Sequence, residues 1–146
     1  MKLGYPCINR RIGCTANSTF RLANYSKNNL LAKVENNLNC LEKILEYNQK
    51  NNLLFFRISS DLVPFASHLI MKVDWAKHFK KKFQQIGDYI KKHKMRISMH
   101  PDQFVLLNSP REIVVKRSIR ELEYHCQILD LLELDTTAKI QIHIGG

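Results

Sequence analysis

The 146-residue sequence is short of several features that mark particular classes of protein. No stretch approaches the roughly 18 consecutive apolar residues of a membrane-spanning helix, so a membrane protein is not expected. The first residues contain no apolar segment of a secretory signal, and a cytoplasmic location is the default expectation. Among the four cysteines there is no Cys-x-x-Cys pair. This argues against a structural zinc knuckle and favours reduced thiols, with Cys40 and Cys126 in helix cores.

Acidic residues are scarce as well. The chain has 13 Asp and Glu against 23 Lys and Arg, which gives a net charge of +10. Such an excess favours a polyanionic partner such as nucleic acid, through steering and counterion release. Many of the lysines fall on one predicted helix, however, and a compositional bias on a solvated face explains them equally well. Charge alone leaves both interpretations open.

What the sequence does have is an alternation of apolar runs with helical periodicity, in the order β-α-β-α-β-α-β. Strands are predicted at residues 2–5, 53–59, 95–99 and 139–144, and the first helix at 27–49. Asp74 is the predicted cap of the second helix, and Ser109 with Pro110 the predicted start of the third. This order predicts an α/β fold with a parallel sheet in a single domain, residues 1–146.

Periodicity also predicts which side of the later helices faces the core. For the second helix the inward residues are Trp75, Phe79, Phe83, Ile86 and Ile90. For the third helix they are Val115, Ile119, Leu122, Cys126 and Leu129.

Three histidines follow predicted strands or the segments just after them: His68, His100 and His143. In a parallel sheet the carboxyl ends of the strands meet at one face, where such folds carry out their chemistry. Because neutral imidazole is the commonest metal-ligating side chain, the three together predict a metal site. The alternative for each is a satisfied core histidine. Asp61 and Asp102 lie nearby as candidate ligands or bases, although carboxylates in loops also serve as caps. Gly145 and Gly146 are a weak signal for close approach of a phosphate.

The segments around these residues read LGYPCIN, FRISSDLVPFASH, RISMHPDQFVLLNSP and IQIHIGG. In this order and spacing they closely resemble the UV damage endonuclease family. The resemblance implies a TIM-type barrel related to the endonuclease IV superfamily. Residues 1–146 would be its N-terminal half, a half barrel of four strands and three helices. The implied activity is metal-dependent incision of the DNA backbone on the 5′ side of UV photoproducts, in DNA excision repair.

The resemblance also implies roles for individual residues. His68, His100 and His143 match metal ligands of the catalytic centre, and the implied cofactor is a divalent metal ion, manganese first, with zinc or magnesium as alternatives. Tyr5, Gln103 and Asn9 match residues that probe the lesion. Arg10 and Asn108 are further candidates, for contacts to the DNA backbone. The implied partner is UV-damaged double-stranded DNA, with no membrane, and by function the protein would be associated with the nucleoid.

The family's remaining ligands are carboxylates, further histidines and a modified lysine in the second half of the barrel. We therefore expect an incomplete metal cluster in residues 1–146 and little incision by this chain alone. Self-association, or a second chain that completes the barrel, is expected to cover the exposed sheet edges. Two alternatives stay open: an inactive fragment with residual DNA binding, and a metal-dependent sugar isomerase on a related barrel.

Overall fold

The computed structural model describes residues 1–144, so the Gly145–Gly146 signal lies outside the described residues. Its sheet has four parallel strands in the order β1-β2-β3-β4, which confirms the predicted α/β class. The strands are β1 (Gly4–Pro6), β2 (Phe55–Ile58), β3 (Arg96–Met99) and β4 (Lys139–Ile140). The fourth strand is shorter than predicted. Its partner β3 ends just before His100 and Pro101, and proline has no N–H with which to continue the ladder.

Three helices connect the strands: α1 (Lys27–Lys50), α2 (Trp75–Lys92) and α3 (Glu112–Leu131). The predicted cap of α2 is confirmed, because the Asp74 side chain accepts a hydrogen bond from the Lys77 N–H at 3.0 Å. The predicted start of α3 at Ser109 and Pro110 is wrong. There the Ser109 hydroxyl accepts from the Arg111 N–H at 3.3 Å and closes a turn before the helix begins. Within residues 1–144, no helix is long and apolar enough to cross a membrane.

The core lies between the helices and the sheet. The inward face of α2 is as predicted, with all five residues buried. The inward face of α3 is not: Ile119 and Cys126 are exposed, and the buried residues of the helix are Ser118, Tyr124, His125 and Ile128. This face packs against the loops that follow β2 and β3, whose backbone groups need polar partners.

The expectation that all four thiols are reduced is also wrong, because a disulfide joins Cys14 to Cys40. Cys14 lies in the loop between β1 and α1, and Asn37 of α1 holds this loop through hydrogen bonds to the backbone N–H and carbonyl of Ser18. The two Cα atoms are thereby brought to 6.0 Å, a usual separation for a disulfide. Cys40 is buried in the core as predicted, and Cys126 is not. The thiols of Cys7 and Cys126 are free.

Candidate metal and nucleic-acid site

A cavity of about 990 Å³ opens at the carboxyl ends of the strands. His68, His100 and His143 all line it, so the fold brings the three predicted ligands to one place. They share the cavity with Asp61 and Asp102. The convergence follows from the parallel sheet, because each of these residues comes after a strand that runs in the same direction.

His100 and His143 are in contact. Their ring centroids lie 4.5 Å apart and the rings are nearly perpendicular. Burial lowers the pKa of His100, and the positive charge of Arg57 and the neighbouring His143 lower it further. The ring is therefore neutral at neutral pH, which is the form that binds a metal ion. By their chemistry, two neighbouring imidazoles are donors that a divalent metal ion accepts as ligands.

His68 lines the same cavity but is exposed, and its ring is engaged elsewhere. Its Nδ1 accepts a hydrogen bond from the Ile70 N–H at 3.1 Å, so a neutral ring carries its proton on Nε2. To bind a metal through Nε2, the ring must change tautomer and release Ile70. In keeping with this, no three His, Cys, Asp or Glu side chains of residues 1–144 are placed to hold one ion. Binding of a metal by all three histidines stays a prediction.

Of the two carboxylates, Asp102 has a capping contact, because it accepts a hydrogen bond from the Phe104 N–H at 2.9 Å. Asp61 lies in a short helical turn in which the Ser59 hydroxyl accepts from the backbone N–H of Asp61. Capping was the alternative considered for both residues, and it applies to Asp102. Burial raises the pKa of Asp61, and the nearby Glu121 and Asp102 charges add to this shift.

The loop after β3 carries Gln103 at the rim of the cavity, next to Phe104, whose side chain is 73% exposed. The loop itself is anchored: Val105 is buried, and the Leu106 N–H donates to the Ser118 hydroxyl at 2.8 Å. Sequence reasoning missed Phe104 as a candidate site residue. The available signal was that it is an aromatic residue beside the polar Gln103, in a loop and outside any apolar periodicity.

Tyr5 and Asn9 do not line this cavity. The Tyr5 hydroxyl donates to Oδ1 of Asn48 on α1 at 2.5 Å, and the Asn9 amide donates to the Tyr5 hydroxyl at 2.6 Å. The Tyr5 ring packs edge-on against Phe56, with centroids 5.4 Å apart. Burial raises the pKa of the Tyr5 phenol. The lesion-probing residues predicted from sequence are therefore split, with Gln103 at the cavity and these two against α1.

The cationic side chains of the cavity come from the residue that precedes α3 and from α3 itself. They are Arg111, Arg117 and Arg120, whereas the predicted phosphate contacts Arg10 and Asn108 are exposed outside its lining. Arg57 of β2 also lies close, and its guanidinium donates to the Gln141 side chain at 2.9 Å. The sequence signal that could have found Arg57 is its charge, since it lies between the buried Phe56 and Ile58 of an apolar strand.

The sequence matches a family model described as UV-endonuclease UvdE over residues 1–146. The chain belongs to the UV-endonuclease UvdE family. It is 45% identical over its full length to the UV DNA damage endonuclease of Clostridium perfringens (strain 13 / Type A), of which it covers 35%. It is 34% identical to the UV-damage endonuclease of Schizosaccharomyces pombe, with 99% of this chain and 26% of that protein aligned.

Among solved structures, one titled "Crystal Structure of SacUVDE" superimposes on the whole chain with a TM-score of 0.96 and 46% identity. This chain covers 50% of that one, whose fold is of the TIM-barrel type. The UvdE-family chain spans about a third of the length of the Clostridium perfringens protein. The resemblance seen in the sequence is confirmed.

Proposed function

We propose that residues 1–146 belong to a metal-dependent endonuclease that incises DNA on the 5′ side of UV photoproducts. The observation that carries the proposal is the cavity at the strand ends, where the paired His100 and His143 lie near the exposed Gln103 and Phe104. One part of this cavity suits a metal ion and the other suits a displaced base. Family membership supports the same activity for the complete protein.

In this proposal His100 and His143 bind a divalent metal, preferably manganese, with zinc or magnesium as alternatives, and His68 joins them after its ring leaves Ile70. When bound, such an ion lowers the pKa of a water molecule and stabilises charge on the scissile phosphate. The chain's own contribution is to keep the His100 ring neutral through burial and the Arg57 charge. Asp61, with its raised pKa, is a candidate to hold a proton at the edge of the cavity.

For UV-damaged double-stranded DNA we infer phosphate contacts from Arg111, Arg117 and Arg120, since guanidinium groups bind phosphate oxygens in pairs. We infer that Gln103 and Phe104, both exposed at the rim of the cavity, enter the duplex beside the lesion. A photoproduct weakens stacking, so the damaged nucleotides cost less to displace than intact ones, and this gives selectivity.

For Tyr5 and Asn9 we retain the lesion-probing role as a proposal, from the side of α1, where bonds to each other and to Asn48 hold them. Arg10 and Asn108 remain candidates for outer contacts to the DNA backbone. None of these four residues lines the cavity. Substitution of any of them should therefore reduce the preference for damaged DNA less than substitution of Gln103.

We infer further that α3 packs against another copy of the chain or a second polypeptide. The basis is a small cluster of apolar side chains on the outer side of α3, formed by Ile119, Leu122 and Cys126 together with Leu107 of the preceding loop. Exposed apolar side chains that lie together are a common feature of interaction surfaces. Sedimentation should show association that Ile119→Lys abolishes, and a monomer at all concentrations would contradict the inference. From the DNA substrate alone, we infer that the protein works in the cytoplasm at the nucleoid.

The activity is tested with the complete protein that carries residues 1–146, on a labelled duplex with one photoproduct, in the presence of manganese. Wild type should incise on the 5′ side of the lesion and His100→Ala should not. Gln103→Ala should reduce the preference for damaged over intact duplex, whereas Gln85→Ala, an exposed glutamine of α2, is the matched control. Equal cleavage of damaged and intact DNA by wild type would refute the proposal.

A further inference from the structure

Two residues of α3 outside the proposed ligand set, Glu121 and His125, lie one helical turn apart next to the cavity. His125 is fully buried, with Nδ1 at 2.6 Å from the backbone oxygen of Glu121 and 3.7 Å from its carboxylate. On the other side of the ring, Nε2 lies 2.8 Å from the Ser60 hydroxyl. Burial of a polar ring is costly unless it is hydrogen-bonded, so apolar packing alone does not account for a histidine here.

Both residues connect to the candidate ligands. The Ser60 hydroxyl oxygen lies 2.8 Å from Nε2 of His125 and 3.0 Å from the backbone oxygen of His100, so this one side chain links α3 to the segment of His100. The Ser67 hydroxyl, in the residue directly before His68, donates to the Glu121 carboxylate. A single turn of α3 therefore holds the loop of His68 and the backbone of His100 at the same time.

We propose that Glu121 and His125 are positioning residues for the metal site, and that they fix His68 and His100 relative to each other. The two histidines come from different loops, and an imidazole nitrogen binds a metal at only about 2 Å. A shift of either loop by a fraction of that distance breaks the bond, so a common rigid support is needed. The inference deepens the proposed function, on which it rests for the identity of the bound ion.

The test uses the 146-residue chain with Mn²⁺ as the probe, and NMR to follow the histidine ring resonances. Paramagnetic broadening shows which rings lie near the ion and how tightly the ion binds. His125→Phe keeps a buried ring but removes the hydrogen bonds to Ser60 and to the Glu121 backbone. Glu121→Gln removes the negative charge from the side chain that accepts the hydrogen bond of Ser67. Each should weaken Mn²⁺ binding about tenfold, as loss of groups that orient metal ligands generally does. Glu123→Gln, an exposed neighbour on the same helix, is the matched control and should bind as wild type does.

A second NMR measurement, on metal-free protein, tests this inference independently of the proposed function. In metal-free protein, the ring resonances of His68 and His100 should both shift in Glu121→Gln and in His125→Phe, while that of the distant His93 stays in place. Unchanged ring resonances in folded variants, or unchanged Mn²⁺ affinity, would overturn the positioning role. Absence of Mn²⁺ binding by the wild-type chain would instead show that His100 and His143 do not bind the ion without the rest of the protein, and the metal-free shifts would still decide the role of α3. If His125→Phe fails to fold, Glu121→Gln carries both readings.

Discussion

Removal of one buried hydroxyl, in Tyr124→Phe, should destabilise the fold more than its single atom suggests. The Tyr124 hydroxyl donates to the backbone carbonyl of Ser60 at 2.8 Å and accepts from the Val63 N–H at 3.0 Å. Burial raises the pKa of this phenol, so it remains a neutral donor across the working range of pH. The substitution leaves two backbone groups of the loop after β2 without their partner at once.

The size of the effect follows from these two groups. Each unsatisfied buried backbone group costs about 1–3 kcal/mol, and the low end for both gives a loss of about 2 kcal/mol in the free energy of unfolding. For a chain of this length the midpoint of thermal unfolding should fall by about 4–8 °C. Tyr25→Phe is the matched control, because the Tyr25 hydroxyl donates only to the Met71 sulfur at 3.6 Å, a weak acceptor. We expect it to cost less than about 0.5 kcal/mol.

Urea unfolding followed by tryptophan fluorescence measures both variants. Trp75 is the chain's only tryptophan and packs against the Tyr124 ring, with centroids 6.0 Å apart, so its emission reports on this region. The ring itself is retained in the variant, and packing is therefore preserved. If Tyr124→Phe unfolds at the same urea concentration as Tyr25→Phe, the two backbone groups do not depend on this hydroxyl and the reasoning fails.

Three further outcomes test other parts of the structure. A thiol assay on denatured, unreduced protein should find two free thiols, Cys7 and Cys126, and reduction should raise the number to the full four; four thiols without reductant would contradict the disulfide. Burial lowers the pKa of both His100 and His125 below the ordinary 6.5, so below that pH the unfolded chain takes up protons that the folded chain does not. Stability should therefore fall as the pH drops from 7.5 to 5.5, and a urea midpoint that rises on acidification would count against this. Residues 1–146 alone should not nick UV-irradiated plasmid with manganese, because no three ligands of residues 1–144 are placed around one ion; nicking by a nuclease-free preparation would refute this.

The parts of the fold that sequence could predict are those set by local periodicity. The five inward residues of α2 follow one helical stripe between charged positions, and all are buried. Likewise, a parallel sheet sends every strand end to one face, so the shared cavity of His68, His100 and His143 follows from element order alone. No detail of side-chain packing is needed for either prediction.

The position of Tyr5 could not be predicted in this way, because it depends on strand register. Tyr5 is paired with Phe56, so both side chains lie on the helix-facing side of the sheet, while the next pair, Pro6 with Arg57, faces the other way. A shift of one residue in this register would exchange the two sides. The disulfide is non-local in the same sense, since it depends on how the loop that contains Cys14 lies across α1.

The helix α3 shows why an apolar stripe is an incomplete guide to the core. Its buried side carries Ser118, Tyr124 and His125, and each is hydrogen-bonded to a loop that shapes the cavity. Irregular loops present backbone donors and acceptors that only polar side chains can satisfy. The buried side of α3 therefore combines Ile128 with three polar residues that bond to these loops, while charged residues such as Lys116 and Glu123 stay exposed. A stripe counted from apolar residues alone misplaces this side, because the partners of the helix are loop backbone groups as well as apolar side chains.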